Sequence, residues 1–277
     1  MDRKAIAGQS LNIQERGYYE LEGRKIDFAE QQASSEKNSF LLTPDEGLKL
    51  MAGLTPPREG QAAAYKVVNR SAVDCLIELS RAGTRPGVLN FASAKNPGGG
   101  FLNGAMAQEE ALAASSGLYK TLLLHPAYYE RNRAHKSMMY THHAIYSPEV
   151  VFFRDGNFNL LPEPALASVL TLPAVNMGQV ILKGENTVLA KQTMEERMRL
   201  CLAIFASQGN AHLILGAYGC GVFRNDPNEV AAWWNNLLRY EGYGRFFEQV
   251  IFAVFDRSKD MKCFSAFDKL FAESDEA

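Results

Sequence analysis

Asn96-Pro97-Gly98-Gly99-Gly100 is followed, after seven residues, by Gln108-Glu109-Glu110 and then by the apolar, helix-favouring segment Ala111–Leu124. Directly upstream, Val88–Ala92 reads as a strand, so the glycines fall in a strand-to-helix connection. Three consecutive glycines let the backbone approach a ligand, because no Cβ stands in the way. An amide and two adjacent carboxylates then sit where the helix begins. A permissive loop followed by acids at a helix start is the layout of a site for a polar substrate. Either half alone has a plain structural reading, since tight connections favour glycine and first helical turns favour acids.

Outward from this stretch, strand-like and helical runs alternate. Tyr65–Val68 reads as a strand and Ser71–Arg81 as a helix capped by Ser71. The segment Ala105–Leu124 reads as one helix, Tyr140–Tyr146 and Val150–Phe153 as extended, and Val169–Val175 as a strand. Thr187–Ala206 has helical periodicity, His212–Leu215 is a short strand, and Asp226-Pro227 opens a helix through Leu238. Gln249–Phe255 is a last strand and Cys263–Phe271 a last helix. This order predicts a layered α/β/α body with helices on both faces of a sheet. Residues 1–60 are more polar. They hold a hairpin around Glu22-Gly23-Arg24 and a helix opened by Thr43-Pro44, and are read as an appendage joined to a body over 61–277 near Pro56–Gly60.

A second glycine-rich loop leaves the His212–Leu215 strand: Gly216-Ala217-Tyr218-Gly219-Cys220-Gly221-Val222-Phe223-Arg224-Asn225-Asp226-Pro227. Its glycines permit turns in which backbone N–H groups converge on an anion, and a helix N-terminus follows. Open α/β sheets bind ligands beyond the carboxyl ends of their strands, which is where both loops lie.

The run GGG-x7-QEE resembles the signature of the bacterial-type poly(ADP-ribose) glycohydrolases, a branch of the macrodomain superfamily. The second loop is similar to that family's pyrophosphate loop, GxxGCGVFxNxP, and the two occur in family order. The resemblance extends over most of residues 10–265. It implies a three-layer macrodomain-like fold with a mixed central sheet. It also implies cleavage of the ribose–ribose O-glycosidic bond, mainly from chain ends, with release of ADP-ribose. Glu110 would be the acid/base, protonating the departing ribose oxygen and then deprotonating water. Glu109 would orient ribose hydroxyls, and Gln108 would support that geometry. Substrate contacts would come from Asn96, Gly98, Gly99 and Gly100 in the first loop. In the second they would come from Gly216, Gly219, Cys220, Gly221, Val222 and Phe223, with Phe255 at the end of the last strand stacking on adenine.

From the residues themselves, successive helical positions diverge by about 100°, so the two glutamates divide their labour. Their proximity with partial burial raises one pKa towards the range of a general acid. Asn69, Ser71, Asn176 and Arg224 are weaker candidates, each with a capping or surface role as the alternative. His142 and His143, adjacent in an expected strand, point to opposite faces and hold no metal. No cofactor is expected. Two further readings stay open: removal of mono-ADP-ribose from proteins or nucleic acid, and recognition of ADP-ribose without hydrolysis. Carboxylates in the site argue against a pure reader.

The bulk composition agrees with an enzyme whose ligand is held locally. With 29 Lys and Arg against 31 Asp and Glu, the net charge of −2 gives no general attraction to nucleic acid or membrane. The expected partners are therefore poly(ADP-ribose) or ADP-ribosylated macromolecules and the ADP-ribose product. Cys75, Cys201, Cys220 and Cys263 lie far apart without CxxC spacing, which reads as free thiols. Met1-Asp2-Arg3-Lys4 is not followed by the apolar run of a leader, and the cytoplasm is the expected compartment.

Overall fold

The computed structural model describes residues 2–272; Met1 and residues 273–277 lie outside the described residues. Helix α1 (Arg3–Arg16) is capped by Asp2, whose carboxylate accepts from the N–H groups of Lys4 and Ala5. Strands β1 (Tyr18–Leu21) and β2 (Arg24–Asp27) form the hairpin read from the sequence. Next come α2 (Ala29–Asn38), β3 (Phe40–Leu42) and α3 (Pro44–Gly53), the last closed by reciprocal Thr43–Glu46 hydrogen bonds. The chain continues through β4 (Ala64–Val68), α4 (Ala72–Arg81), β5 (Gly87–Phe91), a 3-10 turn at Phe101–Asn103, α5 (Gln108–Ser115), α6 (Leu118–Leu123) and α7 (Pro126–Ala134). Then follow β6 (Ala144–Arg154), β7 (Leu160–Leu172), α8 (Met177–Leu182), α9 (Thr187–Ser207), β8 (His212–Leu215), α10 (Pro227–Asn235), β9 (Gln249–Ala253) and α11 (Lys262–Phe271).

Seven strands form one mixed sheet in the order β3-β6-β7-β5-β8-β9-β4. From β7 to β4 the neighbours run parallel, whereas β6 is antiparallel to both β3 and β7. Alternation along the strands divides the core in two. Leu89, Leu170, Leu213, Leu215 and Phe252 pack with residues of α9, α10 and α11 on one face. Val88, Val169, Ile214 and Ile251 pack with residues of α4, α5, α6 and α7 on the other. This is the three-layer α/β/α arrangement expected from the element order.

Residues 1–60 are stitched to the rest by specific contacts. Strand β3 pairs with β6 as the sheet edge, and α1 packs on α5, with Ser10 Oγ donating to Ala114 O at 2.6 Å. Arg154 on β6 donates to Ser10 Oγ at 3.1 Å and to Gln9 Oε1 at 3.1 Å.

Several local expectations are corrected. The helix expected over 105–124 is two helices, because Ser116 bridges to Phe152 and the Gly117 N–H donates to Val151 O at 2.9 Å. Strand β6 starts only at Ala144, so His142 and His143 are not in a strand. Before them Tyr140 takes φ +58°, and Thr141 bonds back to Asn132 Oδ1 at 2.9 Å. The 13-residue β7 begins earlier than expected despite Pro162 and Pro164. Its first half pairs with β6 alone, so neither proline removes a bond from a central ladder. Strand β9 stops at Ala253, leaving Phe255 beyond it, and α10 gives way after Asn235 to a single π-turn. Helices α1, α2, α7 and α8 were not among the elements expected. Among the described residues, no helix is long and apolar enough to cross a membrane.

Candidate active site

The site begins as a fork in the sheet. The ladder between β5 and β7 runs to Phe91–Leu172, but that between β5 and β8 ends at Val88–Ile214. Past Val88 the β8-facing edge of β5 would lack partners, which is costly for buried backbone. Gln108 fills the gap. Its Oε1 accepts from the Phe91 N–H at 2.8 Å and its Nε2 donates to Leu89 O at 2.7 Å. Both ends of this amide are thus engaged by backbone, and the start of α5 is fixed against β5.

The two glutamates follow in the first turn of α5. Glu109 is buried, with 3% of its surface exposed. Its Oε2 accepts from the Ser93 N–H at 2.7 Å and its Oε1 faces Asn90 Nδ2 at 3.4 Å. Burial pushes its pKa up to about 8, and the Glu110 charge adds to the rise against the opposing N–H groups of Ser93 and Gly98. Glu110 is half-buried and folds back over the helix start. Its Oε1 accepts from the Gly100 N–H and its Oε2 from the Ala107 N–H, each at 2.9 Å. The side chains that leave the helix in different directions therefore meet again over Gly99. A Cβ built there would lie 2.9 Å from Glu109 Oε2 and closer still to Glu110 Oε1, and φ is +62°. Only glycine fits, and the two carboxylates converge on one point.

The second loop leaves β8 next to this fork. Its turn at Gly219 (φ +73°) brings the backbone against Ala174, where a Cβ would come within 2.6 Å of the alanine methyl. Asn225 is buried and fixes the loop, Nδ2 donating to Val175 O at 2.8 Å and Gly219 O at 3.0 Å. Among the described residues, the N–H groups of Gly219, Gly221, Val222 and Phe223 have no hydrogen-bond partner. That is the set of free donors an anion requires.

Both loops open on one cleft of about 650 Å³. Of the residues singled out from sequence, Asn96, Gly99, Gly100, Gln108, Glu109, Glu110, Gly219, Gly221, Val222 and Phe223 line it. Gly98, Gly216, Cys220 and Phe255 do not. Gly216 lies behind the wall, its carbonyl accepting from the Trp234 indole at 3.3 Å. The Cys220 side chain packs against the core, where burial pushes its thiol pKa up. Phe255 is 54% exposed, with the Arg257 guanidinium 4.4 Å from its ring centre. Asn69 is spent on pairing both ways with the Asp256 backbone, Ser71 caps α4, and Asn176 caps α8. Arg224 lies over Gly178 in a neighbouring depression. His142 is held neutral by burial, which pushes its pKa down to about 3. Among the described residues, no three His, Cys, Asp or Glu side chains converge to hold a metal ion.

Comparison with known proteins agrees with this geometry. The chain matches the microbial-type PARG catalytic domain over residues 7–155. It is 37% identical to the poly(ADP-ribose) glycohydrolase of Thermomonospora curvata. That match covers 97% of this chain and 99% of the other, with a TM-score of 0.93. The chain belongs to the microbial-type poly(ADP-ribose) glycohydrolase family. The T. curvata enzyme bound to the inhibitor ADP-HPD matches at 36% identity over 96% and 98% of the two chains, TM-score 0.90. The Deinococcus radiodurans glycohydrolase in complex with ADP-ribose matches at 38% identity over 91% and 97%, TM-score 0.80. No curated protein matches the chain.

In this member of the glycohydrolase family, sequence reasoning missed Phe91, Ser93, Leu102, Asn103, Tyr119, Ala174 and Ala217 on the cleft wall. It also missed Asn90 behind it, and gave no role to Asn225, a fixed position of the second loop's motif. Asn90 carried a signal, being a polar residue in the apolar strand Val88–Ala92. The apolar wall residues carried none.

Proposed function

We propose that the protein hydrolyses the ribose–ribose O-glycosidic bond of poly(ADP-ribose), releasing ADP-ribose mainly from chain ends. The observation that carries this reading is the convergence of Glu109 and Glu110 over Gly99 in a cleft that also holds four free N–H donors. The donors of the second loop hold the diphosphate, which sets the adjoining ribose against the first loop. Phe255, exposed beyond β9 and outside the cleft wall, is the outlying ring that offers a face for adenine. Glu110, the more exposed carboxyl, protonates the departing ribose oxygen as positive charge builds on the anomeric carbon. It then takes a proton from the attacking water. Burial keeps one proton on Glu109 at neutral pH. The ribose hydroxyl that Glu109 orients relays it to Glu110, which delivers it to the departing oxygen, and the proton later taken from water returns by the same route. Glu109, neutral at pH 7, orients ribose hydroxyls without adding a second charge near the diphosphate. Four free cysteines support a reducing compartment, the cytoplasm, as the place of action.

The test is ADP-ribose release from poly(ADP-ribose) by the wild type and Glu110→Gln, with ADP-ribose affinity measured on both. Loss of at least about 100-fold in release, with affinity kept, supports the assignment. Tight binding without release by the wild type would favour a reader or a mono-ADP-ribosyl hydrolase. The ratio of ADP-ribose to longer fragments among early products tests cleavage from chain ends.

A further inference from the structure

Arg197, midway along α9, is fully buried, and the mechanism above does not use it. Its guanidinium donates only to backbone carbonyls: Nη1 to Met139 O and Pro173 O, each at 2.8 Å, and Nη2 to Tyr140 O at 3.4 Å. Among the described residues, its Nε–H has no partner. Among the described residues, no carboxylate pairs with it. Adjacent Glu196 is 60% exposed and lies 3.9 Å from His142 Nε2. The other ionisable groups facing it, His142, Tyr128 and Tyr218, are all kept neutral by burial. A buried charge without an anion is expensive to a fold, and its field passes through low dielectric with little screening.

This charge stands directly behind the diphosphate loop. Pro173, which Arg197 holds, precedes Ala174, a wall residue of the cleft in contact with the Gly219 turn. Tyr218 of the loop donates its hydroxyl to Leu172 O at 2.9 Å, so both groups grip the same three-residue segment. Tyr140, also held by Arg197, sets its ring 6.1 Å from that of Phe223. On the cleft side, the loop offers free N–H groups but no lysine, and Arg224 is turned away over Gly178.

We propose that Arg197 is the counter-charge for the substrate diphosphate, acting through the cleft wall without touching the ligand. The inference rests on the ADP-ribose reading above. The cleft then selects an anion by a neutral rim of N–H donors backed by a sealed positive charge. The free protein carries an uncompensated cation that the ligand neutralises. Arg197 is a positioning residue of the binding step and not part of the bond-breaking chemistry.

The experiment measures affinities of Arg197→Met and Arg197→Lys for ADP-ribose and for neutral adenosine by calorimetry, at low and high salt. The expected result is about a tenfold loss for ADP-ribose in Arg197→Met, with adenosine affinity kept and the difference persisting at high salt. Arg197→Lys restores ADP-ribose affinity only as far as its buried ammonium keeps its proton, so the rescue grows as pH is lowered, which a purely structural role would not show. An equal loss for both ligands would mark a purely structural role and overturn the proposal, as would unchanged ADP-ribose affinity. Should Arg197→Met not fold, Arg197→Gln, which keeps an amide donor for the Pro173 carbonyl, carries the same comparison. Failure of the wild type to bind ADP-ribose would overturn the functional reading, whereas a wild type that binds while the variants show no charge-selective loss overturns only this one.

Discussion

Glu109 makes the stability of the protein fall as pH rises, and Glu109→Gln should remove that dependence. The carboxyl titrates near its ordinary 4.5 in the unfolded chain and near about 8 when folded. Below 4.5 both states hold the proton and the residue is neutral in either. Between the two values the unfolded chain releases the proton while the folded one retains it. Each pH unit in that window therefore favours unfolding by about 1.4 kcal/mol. By pH 7 the wild type has lost about 3 kcal/mol of stability, and above the folded value no further loss accrues. Glutamine keeps an oxygen for the Ser93 N–H. Its new amide N–H group can donate to the Asn90 oxygen, which has no partner in the wild type once the Asn90 amide turns. Urea and thermal denaturation of both proteins from about pH 4 to 9 are the assay. At pH 7 the variant should melt about 6–10 °C above the wild type, with the two converging near pH 4.5. A difference that does not change with pH would refute the reasoning, since a lost or gained hydrogen bond has no such slope.

Gly99→Ala should destabilise the protein by about 1–3 kcal/mol through its positive φ. Release of ADP-ribose should drop about 100-fold as the methyl parts the two carboxylates; near-normal turnover would mean that their convergence is dispensable. Phe255→Ala should leave stability within about 0.5 kcal/mol, because the ring is exposed. It should weaken ADP-ribose binding about tenfold if the ring carries adenine, read by calorimetry against adenosine and ribose phosphate. A chain beginning at residue 61 lacks β3 and leaves β6 as an open edge with Phe153 uncovered. It should aggregate, and a soluble, active 61–277 chain would show that residues 1–60 are not part of the folding unit.

The layered fold was legible because parallel strands buried on both faces read as short apolar runs between helices, as in Val88–Ala92 and His212–Leu215. The acid pair was legible because a plain strand-to-helix connection needs neither three glycines in a row nor two carboxylates at a fixed distance behind them. What misled was local. Ser116 and Gly117 read as helix because nothing nearby announces that β6 will bond to them. Helices α1 and α2 were missed because their buried residues include Ser10, Gln14, Gln32 and Ser35, so no apolar stripe marks them. Helical geometry alone predicted that Glu109 and Glu110 would part. The reach of Glu110 back to Gly100 and Ala107, which no local pattern encodes, reunites them. The raised pKa was foreseeable for one of the pair, but only burial against Asn90 and Ser93 says that it is Glu109.

The fork between β5 and β8 has a consequence for how this site can vary. The cleft exists because two adjacent parallel strands stop pairing early, and a single side-chain amide closes the seam that results. Recognition is thus built from an interruption in the sheet. One more rung between β5 and β8 would compete directly with Gln108 for the Leu89 and Phe91 backbone, and in winning would release the start of α5 with both glutamates. Sheet continuity and catalysis are mutually exclusive at this seam, so changes that strengthen pairing there would be selected against however much they stabilised the fold.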